Sequence, residues 1–168
     1  MFSKTSHYGI ALGIILIASF VLQYTLNVHT DPTNVYSLSM FLVMVLFIIL
    51  AIVKVSRTDE EFSIRGGLKA GIGVILLGTF LIWIYIIIHA SFIEPDFVDK
   101  LAVAAETDLQ ANSDFTDAEI QSKLVSLKEN FKFTMFVENV FKGLLTGFFV
   151  SLVTSLVIKS GILSKPKN

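Results

Sequence analysis

Four long apolar stretches, separated by polar segments, constrain this chain more than any other feature of its sequence. They run roughly over residues 8–26, 35–55, 68–92 and 140–163, and each is about long enough to cross a ~30 Å hydrocarbon core as an α-helix. A soluble chain of 168 residues cannot bury four such segments, and a mean hydropathy of +0.74 agrees. The sequence therefore predicts an all-α integral membrane four-helix bundle, forming a single four-span domain over residues 1–168.

The distribution of charge predicts how the chain is oriented in its membrane. Basic residues precede span 1, cluster between spans 2 and 3, and follow span 4, whereas residues 94–139 carry ten acidic residues against four lysines. Lysine and arginine near span ends are retained on the cytoplasmic side. We therefore expect both termini to be cytoplasmic and the acidic connection to lie outside. These small basic clusters are ordinary topology signals, so no nucleic-acid partner is expected.

The acidic connection over residues 94–139 is too long for a simple turn and reads as an extramembrane amphipathic helical hairpin. A polar break at residues 112–114 separates two segments with apolar residues at helical spacing. Thr116 and Glu119 form a capping-box pattern at the start of the second helix. That helix either continues into span 4 or bends near residues 138–139. The hairpin either lies on the outer membrane surface or binds a partner.

Small residues recur every four positions on three of the predicted spans. They are Gly9 and Gly13, Gly67 and Gly71, and then Gly143, Gly147, Ser151 and Ser155. Because hydrophobic force does not drive helices together in lipid, small residues that permit close backbone approach hold helices in contact. We predict that these residues pack helices within or between chains. The alternative is a lining of small groups around a pathway.

No pattern in the sequence indicates a catalytic residue, a cofactor or a metal. Six residues that we place near the outer interface offer ligands suited to zinc: His29, Asp31, His89, Glu94, Asp96 and Glu138. None of them occurs in a recognised metal-ligand spacing, and an interfacial histidine ordinarily bonds to water, so no metal site is predicted. A GxSxG nucleophile motif and phosphate-binding motifs are absent, and zero cysteines exclude Cys-ligated sites. We therefore do not expect an enzyme.

Three short stretches carry a resemblance to a known family. Residues 65–71 read RGGLKAG, residues 92–97 read FIEPDF, and residues 116–120 read TDAEI. Together with the small-residue final span, they resemble a family of small four-span bacterial membrane proteins known as domain of unknown function 4199. The resemblance implies a bacterial inner-membrane location, with the hairpin periplasmic, and it implies no reaction, substrate or catalytic residue.

The sequence leads to two functional hypotheses, and in both of them the protein is in contact with the lipid bilayer. The first is a non-enzymatic accessory or scaffold protein that binds another membrane or periplasmic component, or a second copy of itself, through the hairpin. The alternative is a small oligomeric transporter or channel, suggested by the hydroxyl groups of span 4 and by a weak repeat that aligns residues 11–20 with residues 71–80. No charged residue lies in mid-span, which counts against proton-coupled transport.

Overall fold

The computed structural model describes residues 2–30, 35–112 and 114–161, and across those residues the protein is helical with no strand. The six α-helices are α1 (Phe2–Thr25), α2 (Val35–Thr58), α3 (Ile64–Ile88), α4 (Phe97–Asn112), α5 (Asp117–Glu129) and α6 (Phe131–Lys159). A π-helical turn, His89–Ile93, continues α3 toward α4.

Four of these helices are long and apolar enough to cross a membrane: α1, α2, α3 and α6. Their outward faces are apolar, since Ile14, Leu42 and Phe149 each expose more than half of their surface, at 59%, 58% and 59%. Apolar side chains in that number on the outside of a bundle require a lipid environment. The predicted all-α, four-span membrane bundle with a helical hairpin between spans 3 and 4 is confirmed.

The helices begin and end differently from the apolar stretches that predict them. α3 begins at Ile64, four residues before the predicted span, because Ser63 caps it: its Oγ accepts a hydrogen bond of 3.1 Å from the Gly66 N–H. α6 begins at Phe131, after a break at Asn130. The sequence left open either a continuous helix or a bend near residues 138–139. The helix is instead interrupted at Asn130, and α6 is continuous through residues 138–139.

α3 is the central helix of the bundle, and it packs against α1, α2 and α6. The core around it is made of aliphatic side chains from three helices, including Leu12 of α1, Ile48 and Ile52 of α2, and Val74 and Ile75 of α3, all at most 1% exposed. Interdigitated aliphatic side chains of this kind supply the dispersion contacts that hold helices together where lipid removes the hydrophobic driving force.

The small residues singled out in the sequence lie at helix–helix contacts inside the chain. Leu77 and Leu81 of α3 pack over Gly9 and Gly13 of α1. On the other side of α3, a Cβ atom added to Gly147 would lie 2.6 Å from Ile75 Cγ2. At each position a side chain of the neighbouring helix fills the space that the missing Cβ leaves.

The pairing of hydroxyl groups with glycines is the closest contact between α3 and α6. Ser155 Oγ lies against Gly67, and Ser151 Oγ lies against Gly71, so closely that a Cβ atom on either glycine would overlap the hydroxyl oxygen. Both serines are fully buried. Gly143 differs, because a Cβ atom added there would meet its nearest neighbour, Thr79 Cγ2, only at 3.5 Å.

The hairpin of α4 and α5 has a small core of its own. Ala102 of α4 packs against Ile120 and Leu124 of α5, and all three are buried. The capping box predicted at the start of α5 is present, with the Thr116 N–H donating to Glu119 Oε2 over 2.8 Å and the Glu119 N–H donating to Thr116 Oγ1 over 3.4 Å. So few apolar contacts do not fix a hairpin by themselves. Its position therefore depends on how it is attached to the bundle.

Substituting Gly71 by alanine should destabilise the bundle, whereas the same change at Gly143 should not. A methyl group at Gly71 overlaps the Ser151 hydroxyl and lies 2.8 Å from Ile48 Cγ2, and overpacking of this kind costs about 1–3 kcal/mol. At Gly143 the methyl group fits, and the better helix propensity of alanine contributes up to about 1 kcal/mol of stability. The measurement is the free energy of unfolding in mild detergent, with the loss of helix monitored by circular dichroism. Equal losses at both positions would contradict the assigned packing.

Candidate functional site

A cluster of polar side chains lies at the end of the bundle where the hairpin joins it. His29 comes from the turn after α1, His89 is the first residue of the π-helical turn, and Glu94 follows that turn. Lys100 reaches the cluster from the first turns of α4. Four side chains thus tie α1, α3 and the hairpin together at one point.

Glu94 is the centre of this cluster, and both of its oxygens are bonded. Its Oε2 lies 2.8 Å from His29 Nε2 and 3.0 Å from His89 Nε2. Its Oε1 accepts a hydrogen bond of 2.5 Å from Lys100 Nζ, and the same ammonium group lies 3.0 Å from Asp96 Oδ2. Two imidazole rings thus converge on one carboxylate oxygen. A tightly constrained backbone is needed to hold them there.

The π-helical turn supplies part of that constraint by bringing His89 and Glu94 together. The Glu94 N–H donates to the His89 carbonyl over 2.9 Å, a bond between residues five apart that widens the last turn of the helix. Pro95 follows, and a residue before proline is pushed away from helical geometry; Glu94 has φ −136° and ψ 80°. The helix therefore ends with the carboxylate turned back toward the histidine.

The other part of the constraint is the turn that ends α1. Asn27 has a positive φ of 56°, its N–H donates to the Tyr24 carbonyl, and the Val28 N–H donates to the Gln23 carbonyl, each over 3.0 Å. This pair of bonds defines a Schellman motif, in which asparagine is the most common substitute for glycine at the left-handed position. The motif reverses the chain immediately after α1 and places His29 over the end of the bundle.

Aromatic rings enclose the cluster on its remaining sides. Phe20 and Tyr24 of α1 meet the His89 ring edge-to-face, with centroids 5.1 and 4.7 Å away, and Phe97 stacks on the His29 ring at 5.6 Å. The His29, His89 and Glu94 side chains are consequently only 4%, 0% and 5% exposed. The polar atoms are held in a nearly closed, apolar box.

The electrostatics of the box keep Glu94 ionised. Burial by itself would raise the pKa of this carboxyl group, but the hydrogen bonds from Lys100, His89 and His29 outweigh burial and lower the pKa to about 2. The carboxylates of Glu94 and Asp96 in turn raise the pKa of the Lys100 ammonium group. Among the described residues, Nδ1 of His29 and Nδ1 of His89 are buried without a hydrogen-bond partner. Glu94 is therefore held as a carboxylate between the Lys100 ammonium group and the two imidazole rings.

The structure brings together three of the six residues that the sequence placed near one interface. His29, His89 and Glu94 meet, whereas Asp96 lies next to them and forms an ion pair with Lys100, which also bonds to Glu94. Glu138 forms an ion pair of 3.1 Å with Lys142 on α6, and Asp31 lies outside the described residues. The prediction of no metal site followed from the lack of a recognised spacing. Residues 65 positions apart have no such spacing, and only the Pro95 that follows Glu94 hinted at the turn.

A second feature of this end of the molecule is a cleft of about 240 Å³ between α4, α5 and the start of α6. Its lining is mainly apolar and includes four polar or acidic residues; the lining residues are Thr30, Leu101, Ala104, Ala105, Asp108, Leu127, Phe131, Thr134, Met135 and Glu138. None of the four cluster residues (His29, His89, Glu94 and Lys100) lines this cleft. The cluster and the cleft are therefore separate features that share α4 as a common wall.

Replacing Glu94 by glutamine should loosen the attachment of the hairpin. The amide keeps the volume but removes the charge that Lys100 and both histidines bond, at a cost of about 1.5–3 kcal/mol. Amide hydrogens in α4 should therefore exchange faster in the variant than in the wild type. The exchange is measured on protein in nanodiscs and read out by mass spectrometry. Asp99→Asn is the matched control, because its ion pair with Lys128 is exposed and worth less than about 1 kcal/mol. Equal exchange rates in the two variants would contradict the role of Glu94.

Comparison with known proteins identifies a family for the chain. Neither the curated proteins nor the solved structures contain a significant match. A family described as "Protein of unknown function (DUF4199)" matches residues 7–160, which is nearly the whole sequence and includes all four spans and the hairpin. The chain therefore belongs to the DUF4199 family, as its sequence motifs predict.

Proposed function

We propose that this protein is a non-enzymatic accessory protein of the bacterial inner membrane, which holds its α4–α5 hairpin out as a binding platform for another envelope protein. In this proposal the termini are cytoplasmic and the hairpin is periplasmic, as the distribution of lysine and arginine predicts. The observation that carries the proposal is the pairing of a hairpin clamped to the bundle with an open apolar cleft beside the clamp.

The clamp supports a binding role because it fixes the platform before a partner arrives. Glu94 bonds to His29, His89 and Lys100, and Phe97 at the start of α4 is 2% exposed among the aromatic rings. A surface that is already ordered loses less conformational entropy on binding than a flexible one. A hairpin with no role beyond connecting two spans would not need such an attachment.

The cleft indicates what kind of partner would bind. Leu101, Leu127 and Met135 give the cleft an apolar lining. Asp108 and Glu138, the latter paired with Lys142, are acidic residues of the same lining. Residues 94–139 carry ten acidic residues against four lysines. An amphipathic segment with apolar side chains and flanking basic residues complements this surface in both shape and charge. We therefore assign the cleft to a basic amphipathic helix of another envelope protein.

The accessibility of the polar cluster supports a role other than catalysis. His89 is fully buried and Glu94 is 5% exposed, and neither lines the cleft, so a substrate in the cleft would not reach them. The hydroxyl groups of Ser151 and Ser155 pack on glycines of α3, which favours helix packing over the lining of a transport pathway. These two observations favour the accessory role over an enzyme or a transporter.

Photocross-linking from inside the cleft tests the proposal directly. A photoreactive amino acid at Ala104, which lines the cleft, should cross-link to one envelope protein in intact cells. The same amino acid at Val125, which is 53% exposed on α5 and lies outside the cleft lining, is the matched control and should not. Filling the cleft with Ala104→Trp should then reduce co-purification of the cross-linked protein at least tenfold, since a hot-spot contact is worth more than about 1.4 kcal/mol.

Four results would contradict the proposal. Cross-links only to lipid, or equal cross-linking from Ala104 and Val125, would remove the evidence for a partner in the cleft. Cross-links only to a second copy of this chain would replace an accessory role with self-association. Flux of ions or metabolites through sealed liposomes that contain the purified protein would favour a transporter.

A further inference from the structure

We propose that His29, His89 and Glu94 form a binding site for a divalent transition-metal ion, with zinc the best fit. This inference concerns the same cluster that attaches the hairpin in the proposed function, and it is tested by metal binding, which is measured separately from cross-linking in the cleft. Each of the three residues offers one ligand atom, and these atoms all lie within 4.8 Å of one another.

The distances between the ligand atoms are close to those that a bound zinc ion needs. Tetrahedral zinc with ligands at about 2.0 Å separates neighbouring donor atoms by roughly 3.3 Å. Glu94 Oε2 lies 2.8 Å from His29 Nε2 and 3.0 Å from His89 Nε2. Each imidazole nitrogen must therefore move away from the carboxylate oxygen by a few tenths of an ångström, and the two imidazole nitrogens lie within 4.8 Å of each other.

The chemistry of the ligand set also selects zinc among common divalent ions. Two imidazole nitrogens and one carboxylate oxygen form a mixed set that zinc accepts with an open fourth position, whereas calcium and magnesium require mainly oxygen ligands. The carboxylate of Glu94 lies between the two imidazoles, where it can supply the oxygen ligand of such a set. Zinc would replace the protons through which the two Nε2 atoms bond to Glu94, so each imidazole would carry its proton on Nδ1, which has no hydrogen-bond partner among the described residues.

The surroundings of the cluster are already arranged as a metal site would require. The π-helical turn fixes His89 relative to Glu94, the Schellman motif fixes His29, and the rings of Phe20, Tyr24 and Phe97 restrict both imidazoles. π-Helical turns are often found at functional sites. The enclosed position implies slow exchange of the metal, because the hairpin must lift before an ion can enter or leave.

Lys100 distinguishes a metal site from a simple hydrogen-bonded clamp. Its ammonium group bonds to Glu94 Oε1 and places a positive charge beside the position of the ion. Removing that charge with Lys100→Met would weaken a clamp. It should strengthen zinc binding, because it removes repulsion and frees the second carboxylate oxygen. In this variant the clamp predicts a looser hairpin and the metal site predicts a higher zinc affinity, so zinc affinity is the quantity that tests the metal site.

The first experiment measures metal binding by the full chain without a polyhistidine tag. The protein is reconstituted in nanodiscs, stripped with a chelator and titrated with zinc against a chromophoric competitor, and bound metal is counted by mass spectrometry. We expect one zinc ion per chain, and cobalt in its place should give the visible absorption of a tetrahedral site. Less than a tenth of an equivalent of zinc in the folded wild-type protein would overturn the proposal.

The three histidines of the chain supply matched variants for the second experiment. His29→Gln and His89→Gln should each weaken zinc binding by at least about 100-fold. Loss of a residue that only hydrogen-bonds to a metal ligand already costs about 10–100-fold in affinity, and loss of the ligand itself should cost more. His7→Gln, an exposed residue near the other end of α1, should bind zinc as the wild type does. Lys100→Met should bind more tightly, and helix content measured by circular dichroism checks that each variant is folded.

Two outcomes among the variants would overturn the assignment. If folded His29→Gln and His89→Gln retain wild-type zinc affinity, the ion binds elsewhere on the chain. If Lys100→Met weakens binding, the cluster acts as a clamp and the ion is not held at Glu94. Neither result bears on the cleft, because cross-linking from Ala104 is read out separately.

Discussion

A buried carboxylate at the end of an apolar bundle is the constraint on which this end of the structure depends. Glu94 is 5% exposed beside helices made for lipid, and a charge removed from water is tolerated only when it is paired and fully hydrogen bonded. His29, His89 and Lys100 meet that requirement from three different segments. The turn after α1, the widened end of α3 and the first turns of α4 are the segments that bring these partners to one anion.

The bundle below this cluster is held by a different kind of contact. α3 touches all three other spans, and its glycines let the hydroxyl groups of Ser151 and Ser155 approach its backbone. Close approach replaces the hydrophobic driving force that lipid does not provide. The molecule thus combines van der Waals packing in the membrane with a charged, hydrogen-bonded joint at one end, and the hairpin is attached through the joint.

The fold was largely readable from the sequence, because each span and the α5 cap are local features. Hydropathy alone identifies the spans, and Thr116 and Glu119 identify their capping box without tertiary information. The site was not readable in this way. His29 and Glu94 meet only because Asn27 takes a left-handed conformation and a π-helical turn precedes Pro95, and neither event leaves a spacing that a motif search recognises. Convergence from distant segments requires the three-dimensional structure.

The order of the cluster residues along the chain has a consequence for how the protein is assembled. All four lie between His29 and Lys100, so they are synthesised before α5 and the last span. Chains are made from the N-terminus, and early segments are free to pack first. The joint between bundle and hairpin can therefore close while α6 is still inside the ribosome. Phe131, at the start of α6, later packs against Phe97 at 5.9 Å and covers a joint that already exists.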